Sequence, residues 1–137
     1  MEFIVTLHSH MRHLVLFTGA VAVLLPLIAL LRKKQLSTID RMAVRVFSGI
    51  ITLQFLLGTL QLAWRWNDFG DGLRHRLEHS AIMLVAVGIV HMATARWKRL
   101  DPAQTTRQTF ILLFGSLLLV LLGILILPQG RVILGLE

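Results

Sequence analysis

The 137-residue chain contains no cysteine. Disulfides, thiolate metal sites, iron–sulfur clusters and covalently attached c-type haem all need that side chain and are excluded. Charge is also scarce. Only 15% of residues are Asp, Glu, Lys or Arg, against roughly a quarter in soluble domains. So few ions cannot cover a water-exposed surface, which excludes an ordinary soluble enzyme. The sequence has no Gly-rich phosphate loop, no Ser/His/Asp set at a common depth and no carboxylate pair within an apolar run. Hydrolytic and phosphoryl-transfer chemistry therefore has no basis here. What the chain does have is apolar bulk: 55% of residues are hydrophobic and the mean hydropathy is +0.74.

That bulk is gathered into four uncharged runs, Leu14–Leu31, Val46–Trp64, Ser80–Ala95 and Gln108–Gln129. A helix needs about 20 apolar residues, rising ~1.5 Å each, to cross a ~30 Å hydrocarbon core. The second and fourth runs suffice alone, whereas the first starts at His13 and the third borrows Glu78 and His79. The expected spans are about 13–31, 46–64, 78–95 and 108–129. A soluble bundle would show polar stripes at helical spacing, and these runs show none. The segment before the first run lacks a Lys/Arg-rich start, and no small-residue cleavage site follows it, so the run reads as a permanent helix. Pro26 lies inside the first span, where membrane helices tolerate proline. Pro128 with Gly130 is expected to end the fourth.

Charge sorting sets the direction. Fourteen Lys+Arg against seven Asp+Glu give a net charge of +7. The first connection holds Arg32, Lys33, Lys34, Arg41 and Arg45 with Asp40, and the third holds Arg96, Lys98, Arg99 and Arg107 with Asp101. These nine cations and two anions account for the whole excess. The N-terminal segment, the second connection and the C-terminus hold five cations and five anions. The basic balance is thus an orientation label and not a nucleic-acid footprint. The positive-inside rule places the first and third connections in the cytoplasm and both termini outside. With short connections, residues 1–137 are expected to form a single all-α integral-membrane domain, four transmembrane helices in an antiparallel up-down-up-down bundle.

On that topology five of the six histidines lie at the outer side. His8, His10 and His13 precede or open the first helix, and His75 and His79 precede or open the third. An antiparallel bundle brings these two clusters to one depth. A b-type haem is held this way, with two axial imidazoles from facing helices and its propionates near cations at the polar edge. The candidate ligand pair is His79 with one of His8, His10 or His13, and periodicity does not choose among those three. Arg12 and Arg76 are the candidate propionate partners. Zinc competes for the same histidines, with Asp68, Asp71 or Glu78, although the spacing matches no compact zinc motif.

His91 lies 12 residues after His79, about 18 Å along a helix, and so near the inner side. The inner side has no second histidine, which limits bis-histidine ligation to one haem. His91 is expected to bond a neighbouring helix, with a quinone headgroup or a partner subunit as alternatives. Gln54 sits mid-span, and its amide needs a partner in hydrocarbon. Another helix is the expected partner, and a quinone or the haem edge is the alternative. Glu78 stands between two roles, orienting His79 or pairing with Arg74.

Four stretches carry a family resemblance: LHSHMRHLVL opening the first helix, QFLLG in the second, LEHSAIML opening the third and VHMATARWKR at its end. Together they resemble a group of short bacterial four-helix membrane proteins described as cytochrome b-like. The resemblance implies a helical bundle, a haem and a place near a quinone-linked electron-transfer chain, with His8, Arg12, Gln54, Glu78, His79 and His91 as its candidate residues. The chain departs from two-haem b561-type cytochromes in having only His91 at the inner side.

Two functional expectations follow. One is a small electron-transfer subunit holding one non-covalent haem b near the outer surface. The other is a cofactor-free accessory subunit of a larger respiratory or photosynthetic membrane complex. Both describe a subunit more than a stand-alone enzyme, multi-pass in the bacterial inner membrane, with lipids and a larger redox complex as partners and no nucleic acid.

Overall fold

The computed structural model describes residues 2–128. Four helices follow in order: α1 (Glu2–Leu31), α2 (Thr38–Trp64), α3 (Leu73–Ala95) and α4 (Pro102–Ile126). Each is long and apolar enough to cross a hydrocarbon core, which fits a multi-pass membrane protein. Among the described residues there is no strand.

The helices outrun the uncharged runs. α1 begins 11 residues before His13, so His8, His10 and His13 all lie within it. α2 starts at Thr38, which moves Arg41 and Arg45 from the connection onto its first turns. Arg74 and Arg76 lie on α3 and Arg107 on α4. Hydropathy finds the part of a helix in lipid. The helix itself continues until its caps, with long basic side chains reaching back to water. Caps set two starts. Ser37 accepts from the Asp40 amide at 3.1 Å, while the Asp40 carboxylate accepts from the Ser37 amide at 2.9 Å, a reciprocal capping box. Asp101 accepts from the Gln104 amide at 2.8 Å, with Pro102 at the first helical position. α4 ends at Ile126, before Pro128; Gln129, Gly130, Arg131 and Glu137 lie outside the described residues.

The main helix contacts pair α1 with α2, α2 with α3, α3 with α4, and α4 back with α1, closing a ring. Small residues form the seam. Gly19, Ala22, Pro26 and Ala29 are buried on α1, and Gly19 admits Phe47 and Leu117 so closely that an added Cβ would stand 3.0 Å from each. α1 runs through Pro26 without interruption. Phe47, Val44, Val90 and Leu113 fill the core. Buried Ser116 donates to the Ala86 carbonyl at 2.9 Å, tying α4 to α3. Thr18 and Thr59 turn back on their own helix carbonyls. The outward faces carry large apolar side chains, among them Phe17 and Leu84, 67% and 57% exposed. Apolar outer faces of this kind fit helices that span a membrane.

A candidate cofactor cavity between the four helices

One end of the ring opens into a cavity of about 410 Å³. It is built from the first half of α1, the second half of α2, the first half of α3 and the end of α4. On α1 the lining positions are Val5, His8, Ser9, Arg12 and Val15, which fall on one helix face. On α3 they are Arg76, His79, Ser80, Met83 and Val87, again on one face. His8 and His79 thus enter one space from two different helices. Arg12 and Arg76 line the same space.

The helix phase selects among the N-terminal histidines. His10 and His13 are exposed and do not line the cavity. The His10 ring takes the Thr6 carbonyl one turn earlier, with Nδ1 at 2.8 Å. With 3.6 residues per turn, neither His10 nor His13 faces the way His8 does. His75 is also exposed, with Nδ1 3.9 Å from Glu78. Glu78 itself accepts from Arg74 Nε at 3.0 Å, so it pairs with Arg74 and leaves His79 to another partner.

That partner is a backbone carbonyl. His79 Nδ1 lies 2.7 Å from the carbonyl oxygen of Gly123. A carbonyl only accepts, so Nδ1 carries the proton and Nε2 of the neutral ring keeps its lone pair. Gly123 is available because α4 is ending. The last four carbonyls of a helix lack intrahelical donors, and the Leu127 amide bonds Ile124 instead, at 3.2 Å.

His8 is seated against α2. A Cβ on Gly58 would stand 2.9 Å from His8 Cε1, closer than a rigid ring tolerates. Glycine at 58 is what lets the imidazole lie on the helix backbone. Gln54, one turn earlier, donates from Nε2 to the His8 carbonyl at 2.8 Å. That bond leaves Gln54 Oε1 buried without a partner, along with His8 Nδ1, Arg12 Nε and Gln61 Oε1. Four orphaned polar atoms on the lining of one cavity are costly in an apolar setting.

The polar edge is cationic. Arg12, Arg65 and Arg76 line it. Arg12 is steadied by a bond to Ser9 Oγ at 2.9 Å. Arg65 and Arg76 both rest on the Phe69 ring, at 5.3 and 5.0 Å from its centroid. No carboxylate lines the cavity among the described residues. The walls deeper in are apolar, including Ile51, Phe55 and Val120.

His91 lies elsewhere. It is exposed and donates from Nε2 to Thr52 Oγ1 at 2.8 Å, while Thr52 gives its own proton to the Ser48 carbonyl at 2.7 Å. His91 and Gln54 therefore do not share a site. Among the described residues no group of three or more His, Cys, Asp or Glu side chains gathers to hold a metal ion, so no closed zinc site forms from the histidines and nearby carboxylates.

The sequence reading passed over Arg65, Phe69 and the Gly123 carbonyl. Arg65 and Phe69 carry no spacing signal, since they sit where α2 gives way to two short 3-10 turns. Comparison with protein families, curated proteins and solved structures gives no match for this chain.

Proposed function

We propose that this chain is a small electron-transfer subunit of the bacterial inner membrane that holds one non-covalent b-type haem, with His8 and His79 as its axial ligands. One observation carries the reading: two imidazoles from different helices, His8 and His79, line one apolar cavity whose edge is cationic. The residues fit the group. The volume lies within the range of about 300–1,000 Å³ usual for cofactor pockets. The buried, unpartnered Nε of Arg12 is a donor that a haem carboxylate would engage. Gly58 provides the close approach beside His8.

Bound there, haem supplies reversible one-electron transfer. The chain's own residues hold and tune it. His79 presents Nε2, and its Nδ1–H bond to Gly123 fixes the ring and raises its basicity. His8 would supply the second imidazole, its backbone anchored by Gln54. Arg12, Arg65 and Arg76 offer charge-assisted donors to carboxylates at the edge. Ile51, Phe55, Met83 and Val87 give the cavity apolar walls that would keep water from a bound group. His10 and His13 have no part in this site.

The antiparallel up-down-up-down topology, with both termini outside, belongs to the same proposal. It is supported by the cavity drawing on early turns of α1 and α3 and late turns of α2 and α4. The positive-inside rule supports the orientation. A reporter fused to the C-terminus is expected outside, and a cytoplasmic signal contradicts the orientation.

The test of the function is a reduced-minus-oxidised absorbance spectrum of protein purified with haem supplied. Expected are b-type bands at one haem per chain. A colourless preparation contradicts the proposal. If that preparation also co-purifies with a redox complex in mild detergent, the chain is a cofactor-free accessory subunit.

A further inference from the structure

A second cluster lies at the opposite end of α2, away from the cavity. Arg41 and Arg45 are four residues apart on its first turns and share one face. Both guanidinium groups converge on one indole, lying 5.0 and 5.4 Å from the centroid of Trp97. The ring is fixed in turn: Trp97 Nε1 donates to Thr109 Oγ1 at 2.9 Å. Two like charges brought to the same ring repel unless an anion joins them. Among the described residues no carboxylate does so. The side-chain ion pairs there are those of Arg74 and His75 with Glu78, and the Asp40 carboxylate accepts from the Ser37 amide. Beside the pair is a cavity of about 320 Å³, lined by Thr38, Arg41, Met42, Arg45 and Val46. Met42 and Val46 are exposed, 58% and 48%.

The geometry points to a specific binding site for the phosphodiester of an anionic phospholipid, with Arg41 and Arg45 as donors and Trp97 as the platform that holds them. Planar guanidinium forks suit phosphate oxygens, and the Thr38 hydroxyl adds a donor beside them. The apolar part of the lining favours a lipid over free phosphate, because Met42 and Val46 put exposed apolar side chains beside the cations. Trp at a span end marks the headgroup level. The site is independent of the haem.

Protein exchanged into mild detergent would be offered phosphatidylglycerol, phosphatidylcholine or inorganic phosphate alone, with adducts counted by native mass spectrometry. The wild type is expected to retain one phosphatidylglycerol in preference to phosphatidylcholine by about tenfold, in keeping with two basic side chains at an anionic headgroup. The double variant Arg41→Gln/Arg45→Gln is expected to lose that preference. Lys98→Gln/Arg99→Gln, which removes as much charge nearby, is expected to keep it. Equal retention by wild type and the Arg41/Arg45 variant overturns the site. Equal loss in both double variants also overturns it, since general surface charge would then suffice. A phosphate adduct as persistent as the lipid adduct overturns the lipid as occupant.

Discussion

His79 Nδ1 donates to the carbonyl oxygen of Gly123 across 2.7 Å, joining the start of α3 to the end of α4. The bond aims the lone pair of Nε2 away from α4, the posture of a ligating imidazole. His79→Ala is therefore expected to abolish haem binding, whereas His10→Ala and His13→Ala retain the wild-type spectrum. The check is absorbance of reduced minus oxidised protein per mole of chain. Loss of haem in the His10 or His13 variant would reassign the ligand.

Gly58 supplies the second prediction. An added Cβ meets His8 Cε1 at 2.9 Å, and the ring has no flexible end to swing aside. Overpacking of this kind costs about 1–3 kcal/mol, so Gly58→Ala is expected to weaken haem binding roughly tenfold or more. At Gly123 the tightest contact is the mobile Met83 methyl, at 2.7 Å. Gly123→Ala is expected to change affinity little, because that methyl can move and the carbonyl remains. Haem titration of the two variants separates them.

The arginines at the cavity edge predict a preference for free carboxylates. Wild-type protein is expected to bind haem more tightly than its dimethyl ester, and Arg12→Gln/Arg76→Gln is expected to lose most of that difference. Charge-assisted bonds are worth about 1.5–3 kcal/mol each when buried. These edge groups are partly solvated, so a difference of roughly threefold to tenfold is expected. Competition between the two porphyrins reads it directly.

Much of this arrangement is legible in the sequence. The four spans and the joint depth of the histidine clusters follow from hydropathy and charge. The choice of His8 was also present, in helix phase. His8, Arg12, Val15, Gly19, Ala22, Pro26 and Ala29 recur every three or four residues, a stripe of mostly small residues continuous with His8. His10 instead falls in phase with Leu14 and Phe17, which face outward. The Gly123 carbonyl could not be read, because its availability depends on where α4 ends and which helix lies beside it. Arg65 and Phe69 sit in short turns without periodicity, and only the fold brings them to the cavity.

His91 and Thr52 yield a prediction of the opposite kind. Their 2.8 Å bond joins α3 to α2 outside the cavity. Interhelical bonds in membranes contribute about 1 kcal/mol or less. His91→Ala and Thr52→Val are expected to lower thermal stability slightly and to leave the haem spectrum unchanged. A lost or shifted haem band in either variant would give this pair a place in the site.

The central claim is that His8 and His79 are the two axial ligands of one haem. Electron paramagnetic resonance of the oxidised protein tests it most directly, with wild type, His8→Ala and His79→Ala compared at equal protein concentration after the same haem has been supplied. The wild type is expected to give a low-spin bis-imidazole signal. Each variant is expected to lose that signal, to a high-spin form or to no bound haem. An unchanged low-spin signal in either variant would contradict the pairing of His8 with His79.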